Sequence, residues 1–221
     1  MNRKAVIAGA SGLTGSELLQ ILLNDEIYEG VLVIVRKKLG IEHRKLTQLV
    51  INFDQMDDYA SSIQGDAVFC CLGSTRKKTP DKALYYKIDH DYPLNLARLA
   101  VKNMIRQFHL VSAISANPKA SNFYSKMKGE TARDISQMDI RSLYIYEPSL
   151  ITGDRKEKRA GERFAAAAMK LIDPLFFGSW KKYRSIPAAE VARVMFEQST
   201  YEVPGKWLIQ FAPPEIIKKS L

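Results

Sequence analysis

Two rhythms alternate along the chain. Short runs that are apolar at nearly every position are each followed by a stretch in which apolar residues return every three or four positions. The runs "KAVIAGA" (4–10), "GVLVIVR" (30–36), "LVINFD" (49–54), "DAVFCCLG" (66–73), "QFHLVSAIS" (107–115) and "RSLYIYEPSLI" (141–151) predict strands. The intervening "GSELLQILLND" (15–25), "YASSIQ" (59–64), "YPLNLARLAVKN" (92–103) and "FYSKMKGETARDISQM" (123–138) predict helices. A strand apolar throughout suits a parallel sheet covered on both faces. Strand–helix alternation of this kind predicts an α/β fold with a doubly wound parallel sheet.

After Pro148 the rhythm changes. "GERFAAAAMKLIDPLFFGSW" (161–180) reads as an apolar helix ending in aromatics, "SIPAAEVARVMFEQ" (185–198) as a turn into a helix, and "GKWLIQF" (205–211) as a last strand. The tail after Gln210, with "PPEIIKK", is expected to be partly loose. No repeat or linker divides the 221 residues, so the expectation is one domain over 1–221, with about 150–221 forming a small cap on the substrate side.

Composition narrows the function classes. With 46% hydrophobic and 26% charged residues the chain is an ordinary globular one. No run approaches the roughly 18 apolar residues of a membrane span, and "MNRKAVIAGAS" is too short and too interrupted for a leader. Cys70 and Cys71 are adjacent, have no metal-ligand spacing, and suit a buried strand in a reducing compartment, so a cytoplasmic location is expected. The net charge of +9 raises nucleic acid as a partner. The basic clusters at 36–38, 76–78, 155–159 and 181–184 are small and scattered, so an anionic small ligand is the preferred explanation.

The loop after the first strand indicates which ligand. Gly9, Gly12 and Gly15 form G-x-x-G-x-x-G between a strand and a helix. The first glycine allows a tight turn, the second lets backbone approach a pyrophosphate, and the third lets helix and sheet pack closely. Amides near Gly12, Leu13 and Thr14 then face the phosphates at a helix N-terminus, with Ser11 and Thr14 as hydroxyl donors. This is the pattern of an NAD(P)-binding Rossmann fold. At the end of the second strand, where an acid would grip a ribose 2′-hydroxyl, stand Arg36 and Lys37. A guanidinium forks onto a 2′-phosphate, so NADP(H) is favoured over NAD(H). Asp54 ends the third strand where adenine would lie, and Leu72 and Gly73, after the fourth strand, would pass beside the cofactor. Pro148 begins a segment in which Leu150 and Ile151 offer backbone groups to a carboxamide.

Tyr124 and Lys128, four apart, share one helix face just after the fifth strand. Bringing a tyrosine from about pKa 10 to about 7 takes about 4 kcal/mol of preferential phenolate stabilisation, which an ammonium and an oxidised nicotinamide can supply. Such a tyrosine exchanges a proton with an alcohol or carbonyl while the nicotinamide carries hydride. A hydroxyl that polarises the substrate oxygen belongs at the end of the fifth strand. Ser112 and Ser115 both answer that description; the sequence does not choose between them, and Ser112 is carried forward as the catalytic candidate. Asp89 and Asp91 read as helix-start residues. His43, His90 and His109 have no ligand partners in view.

"GASGLTG", "VRKK", "FCCLGSTR", "SNFYSKMKGE" and "EPSLITGDR" together resemble the atypical short-chain dehydrogenases of the Tat-interacting-protein type, over about residues 4–195. The resemblance implies a Rossmann fold with a small C-terminal cap that binds NADPH. It implies cofactor contacts at Ser11, Gly12, Leu13, Thr14, Arg36, Lys37, Leu72, Tyr124, Lys128 and Leu150, and a further one at Arg159. Two departures concern substrate polarity: Glu147 stands where the group has arginine before the proline, and Ala113 follows Ser112 where relatives have a second serine.

The leading expectation is an NADPH-dependent oxidoreductase that reduces a small carbonyl substrate. The alternatives are an NADPH-binding sensor or partner-binding regulator, as members of the group are described, and, less favoured, a sugar-nucleotide epimerase or dehydratase. The segment "RFAAAAMKLIDPLFF" (163–177) reads first as core or lid, then as a homodimer or protein-partner interface, and last as a membrane-surface contact. The basic turn makes a direct prediction. Arg36→Ala with Lys37→Ala should weaken NADPH binding by about tenfold or more while leaving NADH binding nearly unchanged, each measured by calorimetric titration. Equal losses for both would refute the 2′-phosphate assignment.

Overall fold

The computed structural model describes residues 3–153, 184–212 and 215–221. One sheet runs through it in the order β10-β9-β6-β5-β4-β1-β2-β3. The strands are β1 (Arg3–Ala8), β2 (Tyr28–Val35), β3 (Leu46–Val50), β4 (Ala67–Cys70), β5 (Gln107–Val111), β6 (Ser142–Glu147), β9 (Gly205–Ala212) and β10 (Glu215–Ser220). Every neighbouring pair is parallel except β9 with β10. A separate two-stranded parallel pair, β7 (Ile151–Thr152) with β8 (Ile186–Pro187), lies outside this sheet.

The apolar strands are explained by cores on both faces. On one face Ile7, Val33, Phe69, Tyr144 and Tyr146 meet Leu18, Leu19 and Leu22 of α1 (Leu13–Asn24) and Val191 and Met195 of α5 (Ala188–Thr200). On the other, Val6, Val68, Cys70, Phe108, Leu143 and Ile145 meet Leu96, Ala97 and Ala100 of α3 (Tyr92–Lys102) and Ile135 of α4 (Phe123–Ser136). Successive residues of β1 and β4 therefore serve opposite cores, as the two-residue period of a strand requires. Burial holds the Cys70 thiol up at about 12, so it acts as a small apolar side chain rather than a nucleophile.

Three elements depart from the sequence reading. The third strand ends at Val50, not at Asp54. The Asn52 side chain accepts from the Asp54 amide and starts a 3-10 segment, Phe53–Ser62, that buries Phe53 and Met56. The tail expected to be loose forms β10, whose Lys218 lies 4.5 Å over Trp207 and 5.1 Å over Tyr144. Between β4 and α3 the chain adds a short helix, α2 (Lys82–Tyr86), and a π turn, Lys87–Asp91. Pro93 accounts for much of that turn. It has no amide to bond the Asp89 carbonyl four residues back; that carbonyl accepts from the Thr131 hydroxyl at 3.1 Å instead. The Tyr92 amide reaches back five residues, to Lys87.

His109 sits in an aromatic row across the sheet, its ring 4.6 Å from Phe69 and 4.8 Å from Tyr144. Its Nδ1 is 2.9 Å from the Tyr146 hydroxyl and its Nε2 3.1 Å from Gln107 Oε1. A neutral ring satisfies both contacts, accepting from Tyr146 and donating to Gln107, and burial pushes its pKa down to about 3. Unfolding frees it to protonate near its ordinary value of about 6.5. The folded pKa is depressed, so stability is full above about pH 6.5 and is lost as pH falls toward 3. Between pH 7 and 5 urea unfolding should show a loss of about 2 kcal/mol from this residue. His109→Gln should flatten that pH dependence; an unchanged slope would show that another group sets it.

Candidate functional site

β1 is the strand from which the chain winds outward both ways, to β2 and β3 on one side and to β4, β5 and β6 on the other. The carboxyl ends of β1 and β4 therefore border a crevice, the place where doubly wound sheets bind ligands. Among the described residues, those expected in the site lie on the segments that follow β1, β2, β3, β4, β5 and β6 and on α4.

The glycine loop is held against β4 by close backbone approach. Gly9 has φ +90°, and a Cβ there would run into the Cys71 carbonyl and come within 2.9 Å of the Leu72 nitrogen. A Cβ on Gly15 would collide with the Gly9 carbonyl and reach the Ala10 Cα at 3.0 Å. The Gly12 amide donates to the Gly9 carbonyl at 2.9 Å, and Gly12 starts α1. Among the described residues no side chain caps that helix start, and its first turn holds no acid. A helix N-terminus with uncapped amides and no competing carboxylate is suited to an anion. Ser11 is exposed beside it, Thr14 is buried, and β7 passes close, with Gly153 near the Leu13 side chain.

Arg36 and Lys37 follow β2 and are exposed. Asp54 lies in the 3-10 segment, where Lys87 at 2.8 Å and the Tyr92 hydroxyl at 2.5 Å hold its carboxyl below the usual range. Burial, then Asp54, pushes the Tyr92 phenol up to about 12, while Arg36 lowers it.

Lys128 of α4 is 6% exposed, and its Nζ lies 2.9 Å from Asp89 Oδ1, whose side chain is fully buried. Burial alone would lower the Lys128 pKa; Asp89 reverses this, and the net direction is upward. The other Asp89 oxygen accepts from the Ser74 amide at 2.7 Å. The expectation that Asp89 and Asp91 start a helix is corrected here. Asp89 is a buried counter-ion, and Asp91 contacts His90 at 2.8 Å and makes no cap. His90 also reaches Asp134 at 3.0 Å, which with the Asp89–Lys128 and Asp89–Thr131 contacts ties the π turn to α4 a third time. Leu72 and Gly73 lead into this cluster, and Gly73 lies against both Asp89 and Lys128. Tyr124, one turn before Lys128, is 37% exposed and so accessible from solvent. The Asn122 side chain sets the start of α4 by accepting from the Ser125 amide at 2.8 Å.

The two serines separate cleanly. Ser112 is 5% exposed, and its hydroxyl is buried with no hydrogen-bond partner among the described residues. Ser115 is on an exposed turn. Pro148 is buried and its carbonyl accepts from the Ile114 amide at 3.0 Å. Leu150 exposes its side chain, and of the backbone groups of Leu150 and Ile151 expected to face a carboxamide, the Leu150 carbonyl accepts from the Ile186 amide at 2.9 Å. Glu147 accepts from Gln210 Nε2 at 2.9 Å, a partner on the neighbouring strand β9. Arg159 and the apolar segment at 163–177 lie outside the described residues. Among the described residues no helix is long and apolar enough to cross a membrane.

The family model described as NAD(P)H-binding matches residues 9–147. "Protein HTATIP2" of Rattus norvegicus is 34% identical over 202 residues, covering 88% of this chain and 80% of that one. "Protein FMP52, mitochondrial" of Saccharomyces cerevisiae is 28% identical over 166 residues, covering 70% and 68%. Among solved structures, the Bordetella bronchiseptica enzyme WbmH in complex with NAD+ superimposes with TM-score 0.73 at 15% identity, covering 98% of this chain and 78% of that one. A UDP-N-acetylglucosamine 4-epimerase from Methanobrevibacter ruminantium gives 0.71 at 18%, with the same coverage. At such identities these structures establish the fold.

The glycine loop yields a prediction. Gly15→Ala should cost at least about 1–3 kcal/mol, because the new methyl meets backbone that cannot rotate away. Thermal denaturation should show a lower midpoint; an unchanged midpoint would mean α1 shifts freely on the sheet.

Proposed function

The chain belongs to the NAD(P)H-binding family, among the HTATIP2-like atypical short-chain dehydrogenases, and on that premise we propose that it is an NADPH-dependent reductase of a small carbonyl compound. The observation that carries the reading is Lys128: a buried ammonium, one helical turn from a solvent-accessible Tyr124, beside Gly73 at the crevice. Structural lysines are seldom buried. One placed beside an accessible phenol suits proton transfer.

The residues fit the cofactor. Gly9 and Gly15 leave no room for side chains in the loop, and the uncapped start of α1 suits a pyrophosphate. Arg36 and Lys37, exposed after β2, supply cations for a 2′-phosphate and favour NADPH over NADH. Bound there, the dinucleotide supplies hydride. Tyr124 donates the proton that the reduced carbonyl oxygen needs. Lys128 holds the nicotinamide ribose through its ammonium hydrogens and favours the phenolate left behind. Ser112, whose hydroxyl is buried and has no hydrogen-bond partner among the described residues, is the candidate donor to the substrate oxygen.

The test is Tyr124→Phe. With NADPH and a panel of aldehydes and ketones, NADPH oxidation followed by absorbance should fall by about 100-fold or more. NADPH affinity by calorimetry should stay within about threefold, since the phenyl ring is retained. Unimpaired turnover would overturn the assigned mechanism. A wild-type protein that binds NADPH but reduces nothing in the panel would favour a cofactor-occupied regulator.

A further inference from the structure

Gly73 needs explanation. Its φ is not in the left-handed region. A Cβ built on it would meet Asp89 Oδ1 at 3.5 Å and Lys128 Nζ at 3.8 Å, both ordinary contact distances. Gly9 and Gly15, by contrast, are fixed by backbone collisions. The fold alone would accept alanine at 73.

Asp89 needs explanation too. Desolvating a carboxylate and an ammonium together seldom improves stability over an apolar pair of the same volume. Here the carboxylate is held from two sides, by Lys128 and by the Ser74 amide, and its own backbone carbonyl is tied to α4 through Thr131. Among the described residues, Asp89 from the π turn, Tyr124 from its own helix and Cys70 from β4 act electrostatically on the Lys128 ammonium, and of these Asp89 is in direct contact, at 2.9 Å. Asp89 is the one fixed anion among them, so it decides where the ammonium points. An ammonium has three N–H donors. The side next to Gly73 is where a side chain would otherwise stand.

We infer that Asp89 is a positioning residue that fixes the Lys128 ammonium, and that Gly73 is the aperture through which the hydroxyls of the cofactor's nicotinamide ribose reach it. This rests on the cofactor reading above, adds Asp89 to it and gives Gly73 a specific role in it. Asp89 never touches the cofactor; its contribution passes entirely through Lys128. Gly73 contributes by having no side chain.

The experiment is a double-mutant cycle read as NADPH affinity by calorimetry on the full chain, with Gly73→Ala alongside. Asp89→Asn and Lys128→Met should each weaken binding by about tenfold, and the double variant should be no weaker than Lys128→Met alone. Gly73→Ala should keep the thermal midpoint of the wild type and still weaken binding by about tenfold, because its methyl stands in the approach to the ammonium. Additive losses in the cycle would show that Asp89 acts as scaffold only and overturn its assignment. Wild-type affinity in Gly73→Ala would overturn the aperture, and it decides the matter should Asp89→Asn fail to fold. A wild-type chain that binds neither NADPH nor NADH would instead refute the cofactor reading, and this inference with it.

Discussion

The ion pair between Asp89 and Lys128 connects three separate pieces of chain. It joins the loop after β4, the π turn before α3, and the middle of α4. Each partner is desolvated, and in low dielectric a single unpaired charge costs several kcal/mol. Removing either partner is therefore costlier than never having built the pair. That asymmetry fixes the direction of α4 relative to the sheet, and with it the position of Tyr124 one turn earlier. Another link, from His90 to Asp134, acts in the same sense farther along the helix.

The crevice itself depends on a different constraint, the closeness of backbone to backbone. The glycine loop lies so near Cys71 and Leu72 that side chains at Gly9 and Gly15 are excluded sterically. One wall of the crevice is thus largely main chain, with side chains excluded at Gly9 and Gly15. The other wall is side chain: Lys128 and the accessible Tyr124 of α4. The first kind of wall suits phosphates, which want donors and little bulk; the second suits the reacting end, where protonation states matter.

Much of this was legible in the sequence because strand runs and glycine spacing are local signals. The strands of β1, β2, β4, β5 and β6 follow from apolar runs, and the loop from G-x-x-G-x-x-G between a strand and a helix. Tyr124 and Lys128 follow from helical spacing. Asp89 was not legible. "IDHDYP" carries two acids just before a proline, which matches the local chemistry of a helix start. Its burial arises from Lys128, nearly forty positions later, and no local pattern reports a partner at that distance. The choice between Ser112 and Ser115 failed for the same reason, since one residue's burial and the other's exposure depend on where β6 and the loop after β5 come to rest. The β10 strand was missed because "PPEIIKK" is short and polar, and its pairing with β9 is a tertiary event.

The far end of the chain closes over its beginning. The Arg3 guanidinium donates to the Ser199 and Thr200 carbonyls, and α5 covers the same face of the sheet as α1. During synthesis, the helix that follows the glycine loop must wait for residues 188–200 before its apolar face has its full cover. The sheet likewise stays open at β6 until residue 205 and beyond have left the ribosome. Such long sequence separations slow folding and leave apolar surface uncovered meanwhile. A nascent chain stalled before that point would carry every residue of the crevice, yet lack the helix and edge strands that complete its support, and would be a natural client for chaperones.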